Sequence, residues 1–350
     1  AMAALVAACE PLPPDGMPRA GLGPDGGAAS PADGEPAAPP NGDALPGEVD
    51  PGPPPEGLRV RSGGDLTPVR RVPEGGVLLG GGGVDPRGAM RLLVELGQRG
   101  DVVVLRMDDT GGAYVDYFLG LGAHSVRELS FDEAFGNDNV SGANLARARA
   151  LADSPYVDAA VRNAEVIFIA GGNQTKYLDV WQGTALARAV SWATTTKRAA
   201  IGGTSAGMHI VAKVVHAPAG SGSSLRSADA LADPYLARNE VRGSLGVELA
   251  EGPFEVPLME DVVVDSHLTE RDRLGRSVVL LARVLQDGQR PLDRARLIGC
   301  DEDAAVVVDG RGVARVFGAR EADAAYFIKP ESMPDVCSDN TPLEWRDGLT

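Results

Sequence analysis

Five short aliphatic runs, at residues 77–79, 102–105, 166–170, 199–201 and 262–264, constrain this chain more than any other feature. A strand with one face in water would carry polar residues at alternate positions. Unbroken apolar runs mean burial on both faces, as in parallel sheets covered by helices. Helical patterns lie between them: residues 86–98 place Leu92, Leu93 and Leu96 on one side, and residues 184–195 do the same with Leu186, Val190 and Trp192. This alternation predicts an α/β fold with a doubly wound, mostly parallel sheet. After Arg276 the pattern changes, because short runs at 297–298, 304–308 and 313–316 surround the hairpin-type turn Asp309-Gly310. They predict an antiparallel C-terminal extension of the sheet.

Residues 10–73 alternate Pro, Gly, Asp and Ala with almost no large apolar side chain, so they cannot repay the entropy of ordering. The expected organisation is a flexible leader over residues 1–73 and one domain over 74–350. Within the leader, Leu5-Val6-Ala7-Ala8-Cys9 is similar to the end of a bacterial lipoprotein signal without its charged front. It predicts export, to the outside or to the cell envelope with a lipid anchor at Cys9; a cytoplasmic protein is the alternative. The formal net charge of -16 argues against a nucleic-acid partner, which would need clustered Lys and Arg. Cys9, Cys300 and Cys337 form no CxxC pair and no Cys/His cluster, so no metal or cofactor is expected. A bridge between Cys300 and Cys337 and two separate thiols both remain open.

The chemistry concentrates in Gly203-Thr204-Ser205-Ala206-Gly207, which follows one aliphatic run and precedes the helix-compatible Met208-His209-Ile210-Val211. A serine on so sharp a turn needs small neighbours, and the turn presents its hydroxyl at a helix start where backbone N–H groups can hold an oxyanion. A second glycine turn, Gly171-Gly172-Asn173-Gln174, also ends a buried strand, where open α/β sheets place ligands. Neither it nor Gly80-Gly81-Gly82-Gly83 is followed by the Gly-Lys-Ser/Thr of a nucleotide loop. Four histidines could serve as base: His124, His209, His216 and His267. His267 directly follows a strand and so stands on the expected rim. Arg271, Arg273 and Arg276 come next in an otherwise acidic chain, with Arg273 and Arg276 on one face if the segment is helical; arginine forks suit carboxylates. Asp301, Glu302 and Asp303 are equivalent candidates for the acid that orients an imidazole.

Across residues 75–328 these blocks resemble the cyanophycinase branch of the serine peptidases, which also includes dipeptidase E. The resemblance rests on Gly171-Gly172-Asn173-Gln174, Trp181-Gln182-Gly183-Thr184, Gly202 through Gly207, and the block from Ser227 to Tyr235. It extends through Asp265-x-His267-Leu268-x-x-Arg271-x-Arg273-x-x-Arg276 and Asp301-Glu302. The resemblance implies a class I glutamine amidotransferase-like fold with a nucleophile elbow at Ser205, His267 as general base and Glu302 as orienting acid. It also implies a Gly172 and Ala206 oxyanion hole and a substrate-binding set of Gln174, Asp265, Ser266, Arg271, Arg273 and Arg276. Family members release β-aspartyl-arginine dipeptides from cyanophycin, a polyaspartate carrying arginine through isopeptide links, and the resemblance suggests a homodimer. In that picture the arginines meet substrate carboxylates, while Gln174 and Asp265 hold guanidinium groups. Ser266 and Leu268 depart from the family's glutamine and phenylalanine, and a short Ser266 cannot make a glutamine's amide contacts. The alternatives are a related peptidase for other Asp-containing peptides, an esterase, and a member of the fold that binds without catalysis.

Overall fold

The computed structural model describes residues 5–6, 49–67, 69, 71–108, 113–131, 142–218, 225–236, 246–318, 320 and 323–350. The lipid anchor expected at Cys9 lies outside the described residues. Numbered along the chain, β1 (Leu5–Val6) and β2 (Arg59–Gly64) precede the first aliphatic run. Four of the five runs become parallel neighbours: β3 (Gly76–Gly80), β4 (Asp101–Arg106), β6 (Val166–Ile169) and β7 (Ala200–Thr204). With β5 (Ser125–Ser130) they lie in the order β3-β7-β6-β4-β5. The sheet is closed at one side by antiparallel β12 (Ala304–Asp309) and β13 (Ala314–Gly318), and at the other by antiparallel β2.

Both faces are covered, as unbroken runs require. Leu79, Val103, Leu105, Ile167 and Ile201 point into one apolar cluster, and Leu78, Val102, Val104, Phe168 and Ala200 into the other. The first receives α3 (Gly142–Ala152), α4 (Pro155–Asn163), α5 (Gln174–Trp181), α6 (Ala185–Trp192) and α7 (Ala206–Val211). The second receives α1 (Arg87–Leu96) and α2 (Ala113–Leu119). Successive residues of one strand therefore feed opposite cores, which is the period of two at work.

The fifth run does not join this sheet. It forms β10 (Val262–Ser266) in a second, six-stranded sheet with β8 (Val214–His216), β9 (Leu249–Glu251), β11 (Arg296–Cys300), β14 (Ala325–Ile328) and β1. The run at 297–298 is part of β11, which pairs antiparallel with β14 on one side, as expected, and parallel with β10 on the other. An apolar run reports burial on two faces, and burial is satisfied equally well in either sheet; strand partners depend on long-range packing. Here the packing is supplied by α8 (Ser227–Ala232) and α9 (Leu274–Gln286), whose Val278, Leu281 and Leu285 share a core with Val263 and Leu297.

Leaving residues 10–73 without structure also needs correction. Arg59–Gly64 pairs with β5 at all six positions although it carries one large apolar residue, Val60. An edge strand gains its hydrogen bonds from one neighbour and need not be hydrophobic. Among the described residues no helix is long and apolar enough to cross a membrane.

Candidate active site

Ser205 stands between β7 and α7 with φ 54° and ψ −118°. Backbone held in so sparsely populated a region costs about 1–3 kcal/mol and persists only where surroundings enforce it. They do: the Ser205 N–H donates to the Gly80 carbonyl at 2.8 Å. A Cβ on Gly203 would stand 2.2 Å from the Gly207 backbone, and one on Gly207 would stand 2.0 Å from the Ile169 carbonyl oxygen. The flanking glycines let strand, turn and helix touch.

His267 follows β10 directly, and its own φ is 54°. Its N–H donates to the Gly81 carbonyl at 3.0 Å, tying the second sheet to the loop after β3. Its Nε2 lies 2.7 Å from Ser205 Oγ and its Nδ1 lies 2.5 Å from Glu302 Oε1. A carboxylate only accepts, so Nδ1 carries the proton and Nε2 is left to accept from the serine. Glu302 sits where the chain leaves β11 for β12, and so leaves one sheet for the other. The alcohol thus comes from the first sheet, the imidazole from the second, and the acid from the crossing between them.

The three acids open in sequence terms have separate partners. Asp301 Oδ1 accepts from the Thr269 N–H at 3.0 Å, and Asp303 Oδ1 accepts from the Val84 N–H at 2.6 Å. Only Glu302 reaches the ring, and Arg271 Nη2 approaches the same oxygen at 3.5 Å. Burial, reinforced by the Arg271 charge, lowers the His267 pKa below its ordinary value against the opposing pull of Glu302. The ring is therefore neutral, and able to take a proton, at neutral pH.

The glycine loop at 80–83, which lacks the Lys-Ser/Thr of a phosphate loop, clamps this arrangement. Gly82 has φ +106°, and a Cβ there would stand 2.2 Å from His267 Cε1. Gly82→Ala should displace the ring and lower kcat about 100-fold, the loss that goes with roughly 1 Å of misplacement. Steady-state kinetics beside a thermal melt check this, and unchanged kcat in the folded variant contradicts it.

A cavity of about 260 Å³ opens beside Ser205 and is bordered by Gly172, Gln174, Ala206, Ser266 and the three arginines. Ala206 heads α7, where first-turn N–H groups lack helical partners. A Cβ on Gly171 would lie 3.5 Å from Ser205 Cβ, so the 171–172 turn runs alongside the hydroxyl. Gln174 donates from Nε2 to the His216 carbonyl at 2.9 Å. Ser266 is buried and its hydroxyl lies 3.1 Å from His209 Nε2.

Asp265, expected to help hold a guanidinium group of the substrate, is engaged by one of the protein's own. It is fully buried, and its carboxylate accepts from Arg276 Nε at 3.0 Å, from Arg276 Nη2, and from Ser277 Oγ at 2.8 Å. It orients Arg276 instead. Nor do the arginines share a helix: α9 begins at Leu274, Arg273 precedes it, and Arg273 Nη1 donates to the Ser266 carbonyl at 3.0 Å. Asp272 at φ 50° breaks the helical run. Burial, with the Arg276 charge beside it, lowers the Arg273 pKa to about 9. Cys300 and Cys337 are separate thiols, both buried. Among the described residues no group of three His, Cys, Asp or Glu could hold a metal ion.

Residues 125–231 match the model of peptidase family S51. The stretch contains Ser205 but ends before His267 and Glu302. The chain is 26% identical over 208 residues to the cyanophycinase of Nostoc sp. (strain PCC 7120), which covers 59% of this chain and 55% of that protein. It thus spans about half the length of the curated relative it matches. Among solved structures, a peptidase from an acI-B1 actinobacterium is 18% identical, covering 70% of this chain and 87% of its own, with a TM-score of 0.42.

Proposed function

We propose that this serine peptidase, carrying a family S51 segment, hydrolyses amide bonds next to aspartyl residues, with cyanophycin as substrate and β-aspartyl-arginine dipeptides as product. The observation that carries the reading is the unbroken hydrogen-bonded series from Ser205 Oγ through His267 to Glu302. The turn at Ser205 is then a nucleophile elbow on a fold of the class I glutamine amidotransferase type. His267 Nε2 takes the hydroxyl proton as Oγ attacks the carbonyl carbon, and Glu302 stabilises the imidazolium that forms. The Gly172 and Ala206 N–H groups receive the developing oxyanion. Collapse expels the amine, which takes the proton from His267. Water then repeats the attack on the acyl-enzyme and regenerates Ser205. Incubation with purified cyanophycin and mass analysis of the soluble products tests the reading; intact granules with no dipeptide release refute it.

A related peptidase for other Asp-containing peptides is the second reading, and one observation favours it. Among the described residues that border the cavity none is a carboxylate, because Asp265 is engaged by Arg276. The arginine side chains of cyanophycin would find no acid there. Cleavage of short Asp-containing peptides alongside cyanophycin separates the two.

The mechanism has a pH signature. His267 must be neutral to act, and its pKa lies below 6.5. The midpoint of the acid limb should therefore lie below pH 6.5, as the ring charges. Arg271→Gln removes a charge that depresses this pKa, so the acid limb should move to higher pH. Profiles of kcat/KM for both proteins check the direction; a limb that stays in place or moves down contradicts it.

A further inference from the structure

The acidic turn at 301–303 holds three different segments around the His267 ring. Asp301 Oδ1 accepts from the Thr269 N–H and its own N–H donates to the Ala324 carbonyl, both at 3.0 Å, which fixes the turn against the residues that follow His267. Glu302 holds Nδ1. The loop after β3 lies across the ring, so closely that a Cβ on Gly82 would come 2.2 Å from Cε1 and 2.7 Å from Nε2. The mechanism gives Asp303 no part, yet this residue bonds to that loop twice. Its N–H donates to the Gly82 carbonyl at 2.8 Å, and its Oδ1 accepts from the Val84 N–H at 2.6 Å.

The carboxylate fits the loop from within. Gly83 has φ +71°, and a Cβ there would stand 2.3 Å from Asp303 Oδ1, so the oxygen fills the space that the missing side chain leaves. Asp303 itself has φ 60°, a region that aspartate, asparagine and glycine enter more readily than other residues. Its Oδ2 accepts from Arg320 Nη2 at 3.2 Å, but the Arg320 side chain is 67% exposed, and an ion pair so open to water contributes little. The loop therefore uses the acceptor and not the charge. Asp303 stands outside the set of described residues that border the cavity, so it acts on the ring and not on a ligand.

We propose that Asp303 is a positioning residue whose carboxylate holds the loop at 82–84 against the His267 ring and so keeps Nε2 aimed at Ser205 Oγ. Released at Val84, the loop keeps its bond at Gly82 but no longer closes over the ring edge, and water enters. The charged groups around the ring stay in place: Glu302 on Nδ1, and Arg271 and Arg273, which oppose protonation. Burial is the largest influence on this ring and lowers its pKa, so hydration moves it up toward 6.5. The link to turnover rests on the peptidase reading above, but the state of the ring can be measured without turnover.

The test compares Asp303→Gly with Asp303→Asn. Both tolerate the left-handed backbone and both remove the charge; only asparagine keeps an oxygen that can accept from Val84. The chain has four histidines, so NMR titration of protein labelled with ¹⁵N-histidine can follow the His267 ring. Its pKa should rise by about 0.5 in Asp303→Gly and stay close to the native value in Asp303→Asn. The rate at which a fluorophosphonate labels Ser205, which needs the same imidazole, should fall about tenfold in Asp303→Gly, as for a misplacement of about half an ångström, and recover to within about threefold of native in Asp303→Asn. An unmoved ring or an unchanged labelling rate in Asp303→Gly, or an asparagine variant that behaves like the glycine one, overturns the proposal. Should Asp303→Gly not fold, Gly83→Ala takes its place, because its Cβ would displace the same oxygen, and an unmoved ring there overturns the proposal equally. If the native protein is not labelled at all, the peptidase reading is what fails, and the pKa of the ring alone decides the Asp303 assignment.

Discussion

Ser205→Ala should lower turnover by about 10⁵- to 10⁶-fold, the scale on which loss of a serine nucleophile removes covalent catalysis. The residual rate would come from whatever the oxyanion donors and substrate binding supply without acylation. The substitution is clean because Ser205 Oγ has His267 Nε2 as its side-chain partner, at 2.7 Å, and alanine keeps the Cβ that rests against the 171–172 turn. The strained backbone at φ 54° is imposed by the glycines around it and by the N–H bond to Gly80, neither of which involves the hydroxyl. Thermal unfolding should therefore shift by less than about 1 kcal/mol. Single-turnover kinetics with circular dichroism makes the check, and near-normal turnover in the folded variant removes Ser205 from the chemistry.

What could be read in advance follows from how local each signal is. The alternating strands and helices were legible because burial on both faces leaves an unbroken apolar run, as at residues 102–105 and 166–170. The Ser205 turn was legible because its strand, glycines and helix are contiguous. The division into two sheets was not, since β7 and β10 carry the same apolar signature and differ only in which distant strands they meet. Residues 59–64 carry no such run for the opposite reason: an edge strand hydrogen-bonds without burying much. At the site, charge type was legible and pairing was not. Asp265 and Arg276 both looked available to a ligand, and no property of a linear segment reveals that a carboxylate is already satisfied by a guanidinium eleven residues later. Residue chemistry alone leaves Glu302 level with Asp301 and Asp303; the family resemblance singles it out, and the crossing between sheets supplies the geometric reason. The run at 80–83 carried a usable signal, four glycines directly after a buried strand, but its purpose became visible only once His267 lay against Gly82.

Arg276→Met should destabilise the protein by about 3–5 kcal/mol, the usual cost of removing one partner from a buried ion pair. Arg276 and Asp265 are 4% and 0% exposed at their side chains, so water cannot replace the lost partner. Burial alone would push the Asp265 carboxyl up, but the Arg276 charge and hydrogen bonds, with His209 and Arg273 adding to them, outweigh it and hold the group well below the usual carboxylate range. In the native protein this pair contributes stability that is complete above pH 3.8 and is lost as pH falls through the depressed folded value. Without Arg276 the balance reverses: burial prevails, the folded pKa rises above 3.8, and the ionised carboxylate becomes a penalty. The deficit should then be largest at neutral pH and shrink as acid neutralises Asp265, the opposite pH trend to that of the native pair. Denaturant titrations of both proteins at pH 7 and pH 5 measure the difference. A deficit below about 1 kcal/mol at pH 7, or one that grows toward pH 5, would mean that Asp265 is not charged in the native protein. Arg276 would then have to be held over the cavity by something other than this pair.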